Sequence, residues 1–499
     1  MASGDRNTLT NLPVRHTPFI GYKVELAQIA ARLKDPDCRL LTLLGPGGVG
    51  KTRLAVQAAQ ENAASFSGGS AFVPLARLGS VHWMREAIAY ALDGALGSSA
   101  GPQMKACLDW RQALEALRSR TMVLILDHYE HLLPYTDPID EILRAAPGVK
   151  LLTTSRQALD VAGEWRLEIH GMAYPSQDGA PEAHTFDAVR LFTQSAARQQ
   201  AKFTLSGETL PVVARICRML QGNPLAVELA ASWLGSYTPS QIAAQIAGGL
   251  ESLANLRSDL DGRQRVVRAV FDRTWEKLSG AEQATLGRAA VFQGGFDFQA
   301  ARAILVAAQD RENGENLGER LANLVEKSLL LEQDGRFDLQ PMLSQLAAER
   351  LEADGAEFAG TQQRHAEFFT GCLRILERES GDKQVRAACK LHKDLDNLRL
   401  AWEWAQAHAN AGAMAHGMGG LARFYELLNL PEEGEAAFQA AVTALQPRAA
   451  PEIPEDGNQA LLAKLYTSLG HFQLQLGKSE AGQAALREAS RLGDNTINY

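Results

Sequence analysis

The chain has 499 residues, 46% hydrophobic and 22% charged, so it is too long for one hydrophobic core and predicts about three or four domains. A formal net charge of −8 argues against a general nucleic-acid-binding surface, which needs clustered Lys and Arg, and no stretch approaches the ~18–20 apolar residues that span a bilayer. Cys38, Cys107, Cys217, Cys372 and Cys389 lie far apart without C-x-x-C spacing, so they read as buried thiols of a reducing cytoplasm, with neither a metal site nor a disulfide frame.

Residues 1–17 are polar and irregular and predict a flexible arm. Phe19-Ile20-Gly21 then opens a helix over Lys23–Leu33, with Leu26, Ile29, Ala30 and Leu33 at helical spacing. These three residues fit either a hydrophobic staple or a contact with an adenine ring. The apolar run Leu40–Leu44 predicts a buried strand, and Thr52–Gln60 a helix. Between them lies Gly45-Pro46-Gly47-Gly48-Val49-Gly50-Lys51-Thr52, which fits G-x-x-x-x-G-K-T, a phosphate-binding loop in its strand–loop–helix context. Glycines let backbone N–H groups turn toward the phosphates, and the following helix N-terminus adds partial positive charge. Lys51 supplies a charge for the β- and γ-phosphates, and the Thr52 hydroxyl is a ligand for Mg²⁺.

Strands are then expected at Ser70–Leu75, Met122–Asp127, Val149–Thr154 and Trp165–Ile169, with helices near Val81–Leu92, Trp110–Leu117 and Ile139–Ala145. This alternation predicts a parallel, doubly wound sheet whose ligand lies at the strand C-termini. Gly45, Asp127 and Arg156 all follow strand ends there. Asp127, ending a near-continuous apolar run, is placed to hold Mg²⁺. Glu130 fits either a base that polarises water or an ordinary exposed acid. Arg156 fits a γ-phosphate sensor or arginine finger.

From Phe186 the pattern is helical: Ala188–Gln199, Leu210–Leu220 and Leu225–Leu234, the last two broken by Gly222-Asn223-Pro224. Pro224 fits a helix start or a ring laid on a base. Residues 236–263 look like a connector with one short helix. Helices at Val266–Leu278, Gly280–Ala290 and Leu317–Glu326 precede a hairpin, Ser328–Glu332 and Arg336–Leu339 around Gln333-Asp334-Gly335, and then a helix from Pro341 to Leu351. Helices plus a terminal hairpin suggest a winged helix. From Thr361 the chain is helical, and Phe424–Leu427 with Glu435–Phe438 aligns to Phe472–Gln475 with Gln483–Leu486, as in a tetratricopeptide (TPR) array. The Pro-rich loop Gln446–Gly457 lengthens one repeat, and the array is expected to continue past residue 499.

In this order the motifs resemble the STAND class of signal-transduction ATPases, specifically NB-ARC-like bacterial regulators with TPR repeats. Thr17-Pro18-Phe19-Ile20-Gly21 resembles the family's N-terminal nucleotide motif, Gly45–Thr52 its Walker A, and Val123–Asp127 with His128–Leu132 its Walker B. Leu152–Arg156 resembles sensor 1, Gly222–Ala226 the motif whose proline packs on adenine, and Leu324–Leu330 with Leu339–Leu343 the winged-helix signature. The resemblance implies a multidomain α/β plus α protein. Its parts are a flexible arm over 1–17, a P-loop NTPase parallel sheet over 18–175, a helical domain over 176–260, a winged-helix domain over 261–355 and TPR-like helical repeats over 356–499. It implies ATP/ADP and Mg²⁺ as cofactors. Asp127, Glu130 and Arg156 would be catalytic, and Thr52 and Asp127 would hold the metal. Nucleotide contacts would come from Phe19, Ile20, Gly21, Gly45–Thr52, Arg53, Pro224 and Gln340.

Three positions depart from the family pattern: Tyr22 where Arg is usual, His128 where Asp or Asn follows the Walker B acid, and Gln340 where a His commonly meets the ADP β-phosphate. They imply slow hydrolysis. The expected function is an ADP-off, ATP-on switch that senses a signal ligand or protein on its repeats and self-associates when active, without nucleic acid or membrane partners. An AAA-type ATPase acting on DNA through its winged helix, and a nucleotide-bound non-enzymatic scaffold, stay open as alternatives.

Overall fold

A computed structural model of the chain describes residues 10–14, 17–75, 81–96, 110–177, 182–201, 203–256, 262–307, 316–446 and 455–494. The first unit is a parallel five-stranded sheet in the order β2-β3-β4-β1-β5. Its strands are β1 (Leu40–Leu44), β2 (Ser70–Pro74), β3 (Met122–Asp127), β4 (Val149–Ser155) and β5 (Glu164–Glu168). Strand side chains alternate between faces. On β3, Met122, Leu124 and Leu126 therefore pack with α3 (Val81–Leu96), α4 (Trp110–Arg118) and α5 (Asp137–Ala145). Val123 and Ile125 pack on the other face with α1 (Lys23–Lys34) and α2 (Lys51–Glu61). All six β3 residues are buried, which is why the run carries no polar alternation.

Of the expected arm, residues 1–9 and 15–16 lie outside the described residues. Thr10 pairs with Ser70 at the sheet edge, and the Asn11 side chain bonds both backbone groups of Phe72 (3.1 and 2.6 Å). Cys38 and Cys217 are buried as expected, but Cys372 is half-buried and Cys389 exposed; Cys107 lies outside the described residues. No helix among the described residues is long and apolar enough to cross a membrane.

Next come α6 (Asp187–Gln199), α7 (Thr209–Met219), α8 (Pro224–Ala231), α9 (Pro239–Leu256) and α10 (Gly262–Glu276). Here the structure differs from the expected connector, because α9 runs for 18 residues and packs on α7 and α10. Gly248-Gly249 reads as a break. A Cβ on Gly249 would lie 3.6 Å from Ala269 of α10, an ordinary contact, so it is packing on the neighbouring helices that carries α9 through the two glycines.

The third group is α11 (Gly280–Ala289), β6 (Phe296–Asp297), α12 (Phe298–Ile304), α13 (Leu317–Glu326), β7 (Leu331–Gln333), β8 (Arg336–Asp338) and α14 (Pro341–Glu352). The hairpin turns through Asp334 and Gly335, both at positive φ (51° and 74°), as a two-residue type I′ turn requires. β6, which the pattern did not reveal, makes the sheet three-stranded, β6-β8-β7.

Helix pairs finish the chain: α15 (Gly355–Leu373), α16 (Ile375–Arg378), α17 (Asp382–His392), α18 (Leu395–Ala407), α19 (Ala411–Leu427), α20 (Pro431–Leu445), α21 (Glu455–Gln475) and α22 (Ser479–Asp494). Small residues set their spacing. A Cβ on Gly420 of α19 would sit 2.1 Å from the Leu373 carbonyl oxygen of α15. Backbone cannot rotate aside, so Gly420→Ala is expected to cost about 1–3 kcal/mol. Gly371→Ala, where nothing lies within 4 Å, should be neutral or mildly stabilising. Thermal midpoints of the two variants check this; equal midpoints would refute the close approach.

The chain also closes on itself. Tyr90 of α3 stacks on His392 of α17 (centroids 3.6 Å apart), and Glu86 of α3 lies 3.3 Å from Arg399 of α18.

Candidate functional site at the phosphate loop

The C-terminal ends of β1, β3 and β4 are neighbours in the sheet, so Gly45, Asp127 and Arg156 gather at one rim. Between β1 and α2 the loop turns through Gly48 and Gly50 at φ 77° and 91°, values that side chains rarely tolerate. Lys51, 9% exposed, donates to the carbonyls of Gly45 (2.7 Å) and Pro46 (3.1 Å). Burial pulls its pKa down to about 8, against the opposing pull of Glu130 and Asp127.

Asp127 is buried at the centre of a polar cluster. One carboxylate oxygen accepts from Thr52 Oγ1 (2.7 Å) and Thr154 Oγ1 (2.6 Å), and the other meets His128 Nδ1 (2.8 Å). Burial alone would raise its pKa, but His128, Thr154 and Thr52 hold it below the usual carboxylate range. The same pairing lifts the His128 pKa, although burial opposes it. Thr52 and Asp127 thus bring two hard oxygen donors together beside the loop, a donor set that fits Mg²⁺. His128 takes a left-handed backbone (φ 63°), and its N–H donates to Thr154 Oγ1 (2.9 Å). Beyond it, Glu130 Oε1 pairs with Arg156 Nε at 3.1 Å.

Other segments touch the loop. Gly222, at φ 62°, leaves no room for a Cβ, which would fall 2.0 Å from the Met172 carbonyl oxygen. That packing delivers Asn223 and Pro224 to the loop. Asn223 caps α8 through Ala226 N (3.2 Å) and donates to the Gly47 carbonyl (3.3 Å), while the Leu225 N–H donates to the Gly48 carbonyl (3.3 Å). Pro224 Cγ lies 4.0 Å from where a Cβ on Gly50 would stand. From the third group, Met342 Cε comes within 3.2 Å of a Cβ position on Gly47. Gln340 stands two residues before it, at the N-cap of α14. Arg53 turns its guanidinium to the Thr17 and Pro18 carbonyls (3.1 and 3.0 Å), holding the segment that presents Phe19, Ile20 and Gly21.

The sequence pattern did not reveal Thr154, Asn223 and Met342 as site residues. Each lies inside a motif quoted above, close to the residue singled out from it. Tyr22 has a part there too: its buried hydroxyl donates to the Val49 carbonyl (2.6 Å) and lies 3.1 Å from that of His170. Tyr22→Phe is expected to weaken ADP and ATP binding alike, by about fivefold, the equivalent of about 1 kcal/mol. Titration calorimetry checks this, and unchanged affinity would mean that the hydroxyl does not position the loop.

No family model matches the chain. Over 349 residues it is 34% identical to the Mycobacterium tuberculosis "Uncharacterized protein Rv0894", covering 68% of this chain and 83% of that protein. Over 381 residues it is 32% identical to the same organism's "Putative HTH-type transcriptional regulator Rv0890c", covering 74% of this chain and 40% of that protein. Among solved structures, the Pyrococcus horikoshii STAND protein PH0952, which has a tetratricopeptide repeat sensor, superposes with a TM-score of 0.50 at 14% identity. That match covers 98% of this chain and 66% of the other, and the likeness is one of fold.

Proposed function

The chain belongs to the same family as the Mycobacterium tuberculosis protein Rv0894, and on that premise we propose that it is a nucleotide-gated switch of the STAND class, ADP-bound at rest and ATP-bound when active. The observation that carries this reading is the convergence of three segments on one phosphate loop: β1 and α2, the Asn223–Leu225 cap of α8, and Met342 of α14. A ligand gripped by all three biases their arrangement. In this reading residues 18–175 bind the nucleotide, 176–260 form the helical domain, 261–355 a winged helix and 356–499 TPR-like repeats.

Lys51 and the loop amides take the phosphates, Thr52 and Asp127 hold Mg²⁺, Arg156 meets the γ-phosphate, and Pro224 with Phe19 and Ile20 lies on the base. Turning a mostly closed switch into a mostly open one needs about 5.5 kcal/mol of differential binding. The γ-phosphate, with Mg²⁺ and Arg156, supplies much of it. Hydrolysis is slow, so the identity of the bound nucleotide carries the information. A signal ligand or protein acts on the helical repeats, and the ATP form self-associates. The description of the second relative as an HTH-type regulator favours a regulatory role. Because this chain spans 40% of that protein, DNA binding is not carried over.

The experiment is to identify the nucleotide that co-purifies and to follow particle size after adding ATP and Mg²⁺. Bound ADP and growth with ATP support the switch. Protein that carries no nucleotide, takes up none and keeps its size refutes it.

A further inference from the structure

Glu130 follows the Walker B acid by three residues, a place where a carboxylate is readily taken for a general base. Its surroundings argue for another role. A base must reach water, yet Glu130 Oε2 is buried without a hydrogen-bond partner among the described residues, and Oε1 faces Arg156 Nε at 3.1 Å. The guanidinium it holds is aimed at the loop, because Arg156 NH2 lies 3.7 Å from where a Cβ on Gly47 would stand. A carboxylate on Nε leaves the two terminal nitrogens of an arginine free to meet an anion as a fork. Arg156 itself follows the last residue of β4, with a side chain 34% exposed, whereas that of Glu130 is 15% exposed. An arginine in so open a place samples many rotamers unless something fixes it, and a half-buried carboxylate on Nε fixes it.

We propose that Glu130 is a positioning residue that aims the Arg156 fork over the phosphate loop, and thereby sets how strongly the site prefers a nucleoside triphosphate to a diphosphate. This rests on the nucleotide-switch reading and adds to it the element that reads the third phosphate. Diphosphate binding relies on the loop amides and Lys51, which Glu130 reaches only through space, so it depends on Glu130 far less. Triphosphate binding draws on it through Arg156.

The test uses the full chain and two probes with Mg²⁺, ADP and the non-hydrolysable triphosphate AMPPNP, titrated into wild type, Glu130→Ala, Glu130→Gln, Arg156→Ala and the Glu130→Ala/Arg156→Ala double variant. Glu130→Ala is expected to lose about tenfold in AMPPNP affinity, as a charge-assisted contact goes out of register. ADP affinity should stay within about twofold, which also reports an intact fold. Glu130→Gln keeps an acceptor for Nε and should restore most of the AMPPNP affinity. The double variant should be no worse than Arg156→Ala alone, since both act through one group. Were Glu130 a general base instead, AMPPNP affinity would be unmoved in both Glu130 variants and hydrolysis lost equally in the two. That result overturns the proposal while leaving the switch standing. If wild type binds neither probe, the switch reading falls and takes the proposal with it.

Discussion

Lys51→Ala is expected to lower affinity for both ADP and ATP at least about a hundredfold, the largest binding effect available at this site. The ammonium is nearly buried and, among the described residues, is bonded to the carbonyls of its own loop, Gly45 (2.7 Å) and Pro46 (3.1 Å). It is a desolvated charge waiting for an anion, and charge-assisted hydrogen bonds to phosphate contribute roughly 1.5–3 kcal/mol each. A hundredfold is about 2.7 kcal/mol, so one or two such bonds account for it. Thr52 and Asp127 remain in the variant, so residual Mg²⁺-dependent binding should survive at high nucleotide. Calorimetric titration with ADP is the measurement. An affinity within threefold of wild type would falsify the assignment of Gly45–Thr52 as the phosphate site.

The largest stability effect is expected outside the candidate site, where α3 meets the C-terminal helices. Arg399 is nearly buried, contacts Glu433 of α20 closely, and lies 3.3 Å from both Glu86 of α3 and Asp396. Three carboxylates thus lean on one cation, that of Glu433 buried and those of Glu86 and Asp396 half-buried. Arg399→Met leaves them unpaired and should cost about 3–5 kcal/mol. Removing charges on both sides, in Arg399→Met/Glu433→Leu, should recover much of that loss.

The cluster also predicts a pH dependence. Burial pushes Glu433 up to about 8 although Arg399 pulls the other way, and Glu86, hydrogen-bonded to it, is raised as well. The pair therefore titrates together and keeps a proton that the unfolded chain releases above an ordinary carboxyl pKa of about 4.3. Its contribution to stability is full below that value and is lost as pH rises through about 8. The other groups facing the pair are Glu432, Asp396, Glu403, Tyr425 and His392. Burial and Arg399 push His392 down to about 4, so it stays neutral across the window. Glu433→Gln mimics the protonated form and should flatten the fall of the thermal midpoint between pH 5 and 8.5 or so. A variant whose profile parallels wild type would sink this account.

What could be read from residues alone was whatever depends on local pattern. β1 and β3 lie where their apolar runs placed them, because strands buried on both faces read as near-continuous apolar runs, with only the buried Thr42 and Asp127 polar. The Asp334-Gly335 turn was legible because few residues accept positive φ. The phosphate loop was legible because its glycines and Lys51 are required by the geometry of backbone around an anion. α9 was misread because glycines such as Gly248 and Gly249 weaken a helix in isolation, whereas here packing on α7 and α10 holds the helix together through them.

By itself, then, the sequence determined the order of strands and helices in the first unit, the G-x-x-x-x-G-K-T loop and the acid at the end of β3. These follow from spacing along one segment. Tertiary structure alone decided that Tyr22 braces the loop through Val49, that Asn223 and Met342 close on it from two other groups, that Glu130 serves Arg156, and that Glu86 meets Arg399 across more than three hundred residues. Each is a contact between distant segments, fixed by how buried faces pack and by where desolvated charges find partners, and neither periodicity nor composition records those distances.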